Sequence, residues 1–144
     1  MIKTTIPKKE EVIPNWFLID ATDIRLGKLA SFSSKLLQGK NKGIYTSNMN
    51  CGDYVVIINT QNISIFQKRY KTKNYWRYSG YPGGLKFQTL EEAFKKDPNF
   101  IIRKAIWGMM PKTKLGRKMI KKLFLYKDSN HKHEGQKPKL INIK

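Results

Sequence analysis

The chain has 144 residues, enough for one domain with tails but not for two full domains. It has 29 Lys and Arg residues against 10 Asp and Glu residues, a formal net charge of +19, while its 40% hydrophobic content is sufficient for a core. This composition excludes a chain that is disordered throughout. A compact domain with this charge repels itself and needs a polyanion, so nucleic acid is the first candidate partner and an anionic membrane surface the second.

The cysteine count, the N-terminal sequence and the lengths of the apolar stretches bear on where the protein is located. The single cysteine, Cys51, excludes an internal disulfide framework and suits a reducing environment. The first fourteen residues, MIKTTIPKKEEVIP, lack an apolar run and any Arg and include Glu10 and Glu11, so they predict neither a secretory signal nor a transit peptide. No stretch approaches the roughly 18 consecutive apolar residues expected of a membrane-spanning helix.

The positive charge is concentrated in two parts of the chain. Residues 61–90 hold six basic side chains and no acidic one, and residues 111–144 hold eleven basic and two acidic side chains. A solvated protein face normally mixes charges of both signs, which limits repulsion. Charge of a single sign therefore favours binding to a polyanion at these two segments.

The first half of the chain predicts a βαβ unit. Residues 16–20 (WFLID) form a short apolar run typical of a buried strand. A helix should follow, capped by Thr22 or Asp23 and ended by Gly39. Two strands are expected next, at residues 54–59 (YVVIIN) and, more briefly, 63–66, which predicts parallel pairing. The helix should bury the stripe formed by Leu29, Ala30, Ser33, Leu36 and Leu37.

Residues 67–88 interrupt this pattern by mixing basic and aromatic side chains. Lys and Arg can neutralise phosphates, and Tyr and Trp can stack on unpaired bases. The glycines near its end allow positive φ and a close approach of the backbone to phosphate. The alternative is a β-hairpin whose rings pack on the domain, and the sequence leaves both roles open for each ring. The basic residues are Lys68, Arg69, Lys71, Lys73, Arg77 and Lys86, interleaved with Tyr70, Tyr75, Trp76, Tyr78 and Tyr81.

Helices are expected to resume after this segment. Thr89 and Glu92 have the spacing of a capping box, and Asp97-Pro98 should end that helix and begin the next. Residues 112–122 predict a basic amphipathic helix with too few apolar residues for a membrane-surface helix. Residues 123–126 (LFLY) predict the last strand. The helix after Pro98 should bury Ile101, Ile102, Ala105, Ile106 and Met109, and the basic helix Leu115, Met119 and Ile120.

Neither a metal site nor a catalytic site is predicted. His131 and His133 form an i, i+2 pair without the second pair of ligands that a zinc site needs. Asp20, Asp23 and Asp53 fall near strand ends, where α/β enzymes keep their acids, but they also suit turns and caps. No GxGxxG or phosphate-loop sequence accompanies the strands. We expect no enzymatic activity, no cofactor and no small-molecule substrate.

Several sequence runs resemble the family of ribosomal protein thirteen of the large subunit. They are WFLIDATDIRLGKLAS, CGDYVVIINT, SGYPGG and AIWGMMPKTKLGRKMIKKLFLY, and they stand in the family's order between about Trp16 and Pro138. The most specific are Gly52-Asp53, the glycine-rich turn at 80–84, and residues 108–112 (GMMPK). This chain departs from the family at Met110, where Leu is usual, and at residues 66–68 (FQK), which replace a Thr-Gly-Asn-Lys-like turn.

The resemblance implies a three-layer α/β/α single domain with a small, mostly parallel sheet. It also implies an early assembly protein, without enzymatic activity, that binds large-subunit ribosomal RNA beside neighbouring subunit proteins. We expect an N-terminal extension at residues 1–14, the RNA-binding domain at 15–126 with a basic arm at 67–88, and a basic tail at 127–144. The expected RNA-binding residues are Lys68, Arg69, Lys71, Lys73, Arg77, Tyr78, Gly80, Gly83, Gly84, Lys86, Lys112, Lys114, Arg117, Lys118, Lys121, Lys122, His131 and His133. Among these, Arg117 should be the best phosphate fork.

Two further questions follow from the resemblance. The function expected is structural, with a free RNA-binding regulator of translation as the alternative. The tail HKHEGQKP is similar to the bacterial type of the family. Other runs are most similar to mitochondrial members, namely Cys51–Asp53 with residues 58–60 (INT), Asp97-Pro98 and residues 105–108 (AIWG). We therefore expect the mitochondrial matrix, with the bacterial cytoplasm or the plastid stroma as alternatives.

Overall fold

The computed structural model describes residues 7–143, so the first part of the expected N-terminal extension lies outside the described residues. Short 3-10 helices occur at Lys9–Glu11, Thr60–Asn62, Ile120–Lys122 and Glu134–Gln136. The helices and strands are β1 (Trp16–Asp20), α1 (Leu26–Gln38), β2 (Tyr54–Ile58), α2 (Gln67–Thr72), β3 (Asn74–Tyr78), β4 (Leu85–Thr89), α3 (Leu90–Lys96), α4 (Pro98–Gly108), α5 (Lys114–Met119), β5 (Leu123–Leu125) and β6 (Lys139–Leu140).

The main sheet is parallel and has the strand order β5-β2-β1-β6. Strand β1 pairs with β2 from Trp16–Tyr54 to Asp20–Ile58, so the predicted βαβ unit is confirmed. The strand predicted at residues 63–66 is wrong: only Ser64 makes a bridge, with Arg25. The 3-10 turn at Thr60–Asn62 redirects the chain toward the start of α1, where the Leu26 amide donates to the Ser64 carbonyl at 3.1 Å.

Helix α1 covers one face of the sheet with the predicted stripe, which is confirmed as buried. Alternate strand residues point to this face, so Ile19, Val55 and Ile57 pack with helix residues in one core, and each such side chain contributes about 1.5–3 kcal/mol. Gly39 ends the helix at φ 78°, as predicted. The predicted cap is wrong: the residue before the helix is Arg25, whose side chain makes no capping hydrogen bond within residues 7–143.

The opposite face of the sheet carries an aromatic stack. Trp16 lies 4.3 Å from Tyr54 and 5.7 Å from Phe124, measured between ring centroids, in near-parallel orientation. His133, from the segment after β5, lies 4.2 Å from Phe124 and closes the stack. Strand β6, which the sequence analysis did not predict, then pairs with β1 through Leu140 opposite Leu18. The segment after β5 therefore contacts this face through His133 and adds the fourth strand of the sheet through β6.

The two helices after the hairpin begin as predicted. Thr89 Oγ1 accepts from the Glu92 amide and Glu92 Oε2 from the Thr89 amide, both at 3.2 Å, so the capping box is confirmed. Asp97 Oδ1 accepts from the Asn99 amide at the start of α4, with Pro98 in the first turn. The prediction that Met109 belongs to the core is wrong, since its side chain is 46% exposed. Helix α4 ends at Gly108, and the chain turns Met110 inward instead.

The architecture is α/β, with a small parallel sheet and a single domain, and this expectation is confirmed. A separate antiparallel hairpin, β3-β4, extends from it. Among the helices of residues 7–143, none has the length and apolar character needed to cross a membrane.

Candidate nucleic-acid interface

The basic arm at residues 67–88 folds as helix α2 followed by the β3-β4 hairpin. Lys68, Arg69 and Lys71 are exposed on α2, and Lys73 is exposed just after it. On the hairpin, Arg77 lies directly opposite Lys86. Like charges directly opposed across a strand pair destabilise it, unless an anion lies between or beside them. The arm therefore presents cations whose repulsion a phosphate would relieve.

The aromatic rings of the arm divide into two groups. Tyr70 packs edge-to-face on Phe94 at 6.0 Å, and Tyr75 on Phe100 at 5.8 Å, so these two rings attach the arm to the domain. Trp76, Tyr78 and Tyr81 are instead 70%, 57% and 75% exposed. Trp76 is paired with Phe87 and Tyr78 with Leu85, so one hairpin face is apolar, while Arg77 and Lys86 point to the other.

The glycine-rich turn at the hairpin tip needs its glycines for two different reasons. Gly80 and Gly83 have φ of 91° and 73°, with nothing near their missing side chains. Gly84 does not share the positive φ expected of both adjacent glycines. A Cβ on Gly84 would lie 2.0 Å from Ser79 Oγ and 2.9 Å from the Tyr81 carbonyl oxygen. Gly83 is thus needed for its backbone conformation, and Gly84 because there is no space for a side chain.

The second basic segment forms a shorter helix than predicted. Helix α5 covers Lys114–Met119, and a 3-10 turn replaces its last part, instead of one helix over residues 112–122. Thr113 caps α5 by accepting from the Gly116 amide at 3.3 Å. Leu115, Met119 and Ile120 pack on the core as predicted. The exposed cations of the segment are Lys112, Lys114, Arg117, Lys118 and Lys121.

Lys122 points inward, unlike the other cations of its segment. Its Nζ donates to the Gly52 carbonyl oxygen at 2.5 Å and lies 5.2 Å from the Tyr54 ring centroid. Burial lowers the pKa of the Lys122 ammonium group, although the nearby Asp53 carboxylate opposes the shift. Asp53 is fully buried and accepts from Lys42 Nζ at 2.5 Å and from the Asn15 amide at 2.8 Å. Lys122 therefore contributes to this buried polar group.

Both histidines of the expected site lie in packed positions. His133 contacts Trp16, Phe124 and Tyr126 in the aromatic stack, and His131 lies 6.2 Å from Tyr126 between ring centroids. The His133 amide donates to His131 Nδ1 at 3.2 Å. Both rings are half-buried. Among residues 7–143, no three His, Cys, Asp or Glu side chains come together as a metal site would require.

Asp20, at the end of β1, has a structural role. Asp20 Oδ1 accepts from the Thr22 amide and hydroxyl at 3.0 and 2.7 Å and from Asn59 Nδ2 at 3.0 Å. Burial acts to raise the pKa of the Asp20 carboxyl group, but these hydrogen bonds outweigh burial and lower the pKa below its ordinary value of 3.8. Asp20 thus serves the turn after β1.

Two further cations, Arg103 and Lys104, are exposed on α4 and do not belong to either predicted basic segment. Residues 91–110 hold four basic and three acidic side chains, so the net charge of this stretch does not single them out. Helix α4 itself has no acid, and a helical projection would place these cations opposite the buried Ile101, Ile102 and Ile106. A surface hollow of about 340 Å³ lies here, lined by Phe100, Arg103, Lys104, Trp107, Arg117 and Ile120.

This hollow lies between the two predicted basic segments. Phe100 on its border packs against Tyr75 of the hairpin. Lys112 Nζ lies 4.4 Å from the Trp107 ring centroid and donates to the Trp107 carbonyl oxygen. Helix α4 therefore contacts both basic segments, the hairpin through Phe100 and α5 at the hollow. The fold and this surface define the class as a small α/β protein with a strongly basic and partly aromatic surface.

Comparison with known proteins identifies the family within this class. The family described as Ribosomal protein L13 matches residues 14–132, and the chain belongs to this family. A protein of Petrotoga mobilis is 48% identical over 136 residues, covering 94% of this chain and 90% of its own length. Proteins of Thermosynechococcus vestitus and Finegoldia magna are 42% and 41% identical, each covering 99% of this chain and 93% and 100% of their own lengths. All three are named large ribosomal subunit protein uL13.

Proposed function

We propose that the chain is a structural constituent of the large ribosomal subunit, where it binds and stabilises ribosomal RNA during assembly and in the mature particle. The observation that carries this proposal is the hollow where Arg103 and Lys104 of α4 meet Arg117 of α5, with the basic hairpin attached at its border through Tyr75 and Phe100. The relatives named as large-subunit proteins, aligned over nearly the whole chain, support the same role.

The proposed contact surface follows from exposure. It comprises the cations of the basic arm at 67–88, the turn at 80–84, and the exposed cations Lys112 to Lys121, with Arg103 and Lys104 added. Arg117 suits bidentate binding of a phosphate, because a guanidinium group offers paired donors and stays charged. Lys122 and His133 are left out, because their polar atoms or rings are engaged within the protein. Neighbouring subunit proteins are the proposed further partners, and the apolar hairpin face is available to them.

The electrostatic part of this proposal is tested by the salt dependence of binding. If about 6–10 phosphates are neutralised, the slope of log K against log salt concentration should be about −5 to −8. The full chain is titrated with its large-subunit ribosomal RNA by filter binding across a range of KCl concentrations. A slope shallower than about −2 would contradict the proposal and favour an apolar protein interface.

Sedimentation tests whether the protein acts on the ribosome. The tagged full chain should sediment with large subunits at low salt and leave them only when the particle is stripped. A protein found mainly in the fractions above the subunits would instead be a free RNA-binding regulator.

We propose the mitochondrial ribosome as its location, from Cys51–Asp53, Asp97-Pro98 and the AIWG run at residues 105–108. The bacterial cytoplasm is the second candidate, since the relatives given above are bacterial proteins. Fractionation of the source cell decides between them. Recovery with ribosomes from purified, protease-treated mitochondria is the expected result, and recovery only with ribosomes outside an organelle would contradict it.

A further inference from the structure

We propose that the hollow between α4 and α5 binds one unstacked nucleobase of the RNA, with the adjoining phosphates held by the cations at its rim. This inference rests on the proposed function, which it extends from phosphate binding to a specific site for a base. The hollow measures about 340 Å³, near the lower end of the roughly 300–1,000 Å³ typical of small-ligand sites. A single base with its sugar is a ligand of this class.

The walls of the hollow suit a flat ring. Trp107 and Phe100 supply aromatic surface, and Ile120 an aliphatic one. The Trp107 ring is held in place, since it packs on the core and Lys112 Nζ lies 4.4 Å from its centroid. Phe100 is held by Tyr75 at 5.8 Å. Rings fixed in this way lose little freedom when a base stacks on them, which favours stacking over a mobile surface ring.

The rim of the hollow suits an anion attached to that base. Arg103, Lys104 and Arg117 are its charged lining residues, and no acidic side chain of residues 7–143 lines it. Arg103 and Lys104 come from α4 and Arg117 from α5, so both helices contribute cations to the lining. A lining that combines aromatic and cationic side chains fits the alternation of base and phosphate along a nucleic-acid strand.

Fluorescence of Trp107 gives a direct test. The chain has three Trp residues, so the full chain carrying Trp16→Phe and Trp76→Phe reports on Trp107 alone. It is titrated with a six-nucleotide oligoadenosine and with an abasic ribose-phosphate chain of the same length and charge. We expect oligoadenosine to quench Trp107 and to bind about 5- to 160-fold more tightly than the abasic chain, the range for losing one stacked base.

Two variants locate the effect. Phe100→Ala, in the same background, should reduce the preference for oligoadenosine several-fold without changing binding of the abasic chain. Phe66→Ala removes another exposed ring, 72% exposed at the start of α2, and should leave the preference unchanged. Should Phe100→Ala loosen the hairpin, Ile120→Ala tests the opposite wall and should show the same loss.

The other outcomes overturn the proposal in distinguishable ways. Equal affinity for the two chains would show that the hollow takes no base, while leaving phosphate binding and the proposed function intact. No binding of either chain would count against both. Displacement of oligoadenosine from Trp107 by an acidic, leucine-containing peptide of higher affinity would identify the occupant as a protein segment instead.

Discussion

Replacing Gly116 with Ala should disrupt the attachment of α5. A Cβ on Gly116 would lie 1.9 Å from the Pro111 carbonyl oxygen, whereas contacts under 3.0 Å force a shift. Both atoms belong to backbone segments, so the turn before α5 and the helix itself must separate by at least about 1 Å. The same shift would break the cap in which Thr113 Oγ1 accepts from the Gly116 amide.

The expected cost combines two contributions. Overpacking of a close contact costs about 1–3 kcal/mol, and loss of an N-cap bond about 1 kcal/mol. The free energy of unfolding should therefore fall by roughly 2–4 kcal/mol. Gly27→Ala is the matched control, because Gly27 lies in the first turn of α1 with nothing within 4 Å of a Cβ. It should raise stability by about 0.4–1 kcal/mol through reduced entropy of the unfolded chain.

Urea unfolding of the free proteins, followed by circular dichroism, measures both changes. The Gly116→Ala midpoint should fall well below that of the wild type with an unchanged slope. If Gly116→Ala were as stable as the wild type, the close approach of Pro111 and Gly116 would be an incorrect account of this turn. If Gly27→Ala were destabilised, the space around a glycine would not predict the effect of adding a Cβ there.

Four other substitutions have defined outcomes. Tyr75→Phe should raise the unfolding free energy by about 1 kcal/mol in urea titration, since Tyr75 Oη is buried without a hydrogen-bond partner among residues 7–143; a loss of stability would reveal an unrecognised partner. Asp53→Asn should lower it by about 3 kcal/mol, because it breaks the buried contact with Lys42, whereas Glu91→Gln in an exposed pair should change it little. The lowered pKa of Asp20 means that its stabilising contribution is present above about pH 4 and is lost as pH falls through its folded-state pKa. The Asp20→Asn variant should consequently lose less stability than the wild type between pH 5 and 2, as measured by thermal unfolding. An identical loss of stability in the two proteins over this range would contradict this.

Local signals in the sequence predicted the elements they determine. The stripe of α1, the Gly39 ending, the capping box at Thr89 and the Asp97-Pro98 boundary depend on neighbours within one or two helical turns, and all are present. The resemblance located the family correctly. By contrast, β6 is two residues long and depends on pairing with β1, more than 100 residues away, which no local pattern indicates.

The candidate site was predictable in part for the same reason. Charge counting identified α2, the hairpin and α5, but not the direction of each side chain. Lys122 turns toward Gly52, and His133 enters an aromatic stack, because of contacts distant in sequence. The net charge of residues 91–110 did not reveal Arg103 and Lys104, because the acids of α3 lie in the same stretch. The division of aromatic rings into packed and exposed groups likewise required the hairpin register.

We propose that one basic surface holds the chain in the large subunit. A competition assay tests it: wild type and an Arg77→Glu, Arg117→Glu variant are co-expressed with different tags, and their ratio is measured in purified large subunits by mass spectrometry. A Lys28→Glu, Lys35→Glu variant makes the same change of charge at exposed positions of α1. We expect the first variant to be depleted roughly tenfold or more, since hydrogen bonds to charged groups contribute about 1.5–3 kcal/mol each, and the second to enter nearly as well as the wild type. Equal depletion of both variants would show that only total charge matters, and undiminished entry of the first would contradict the proposed surface.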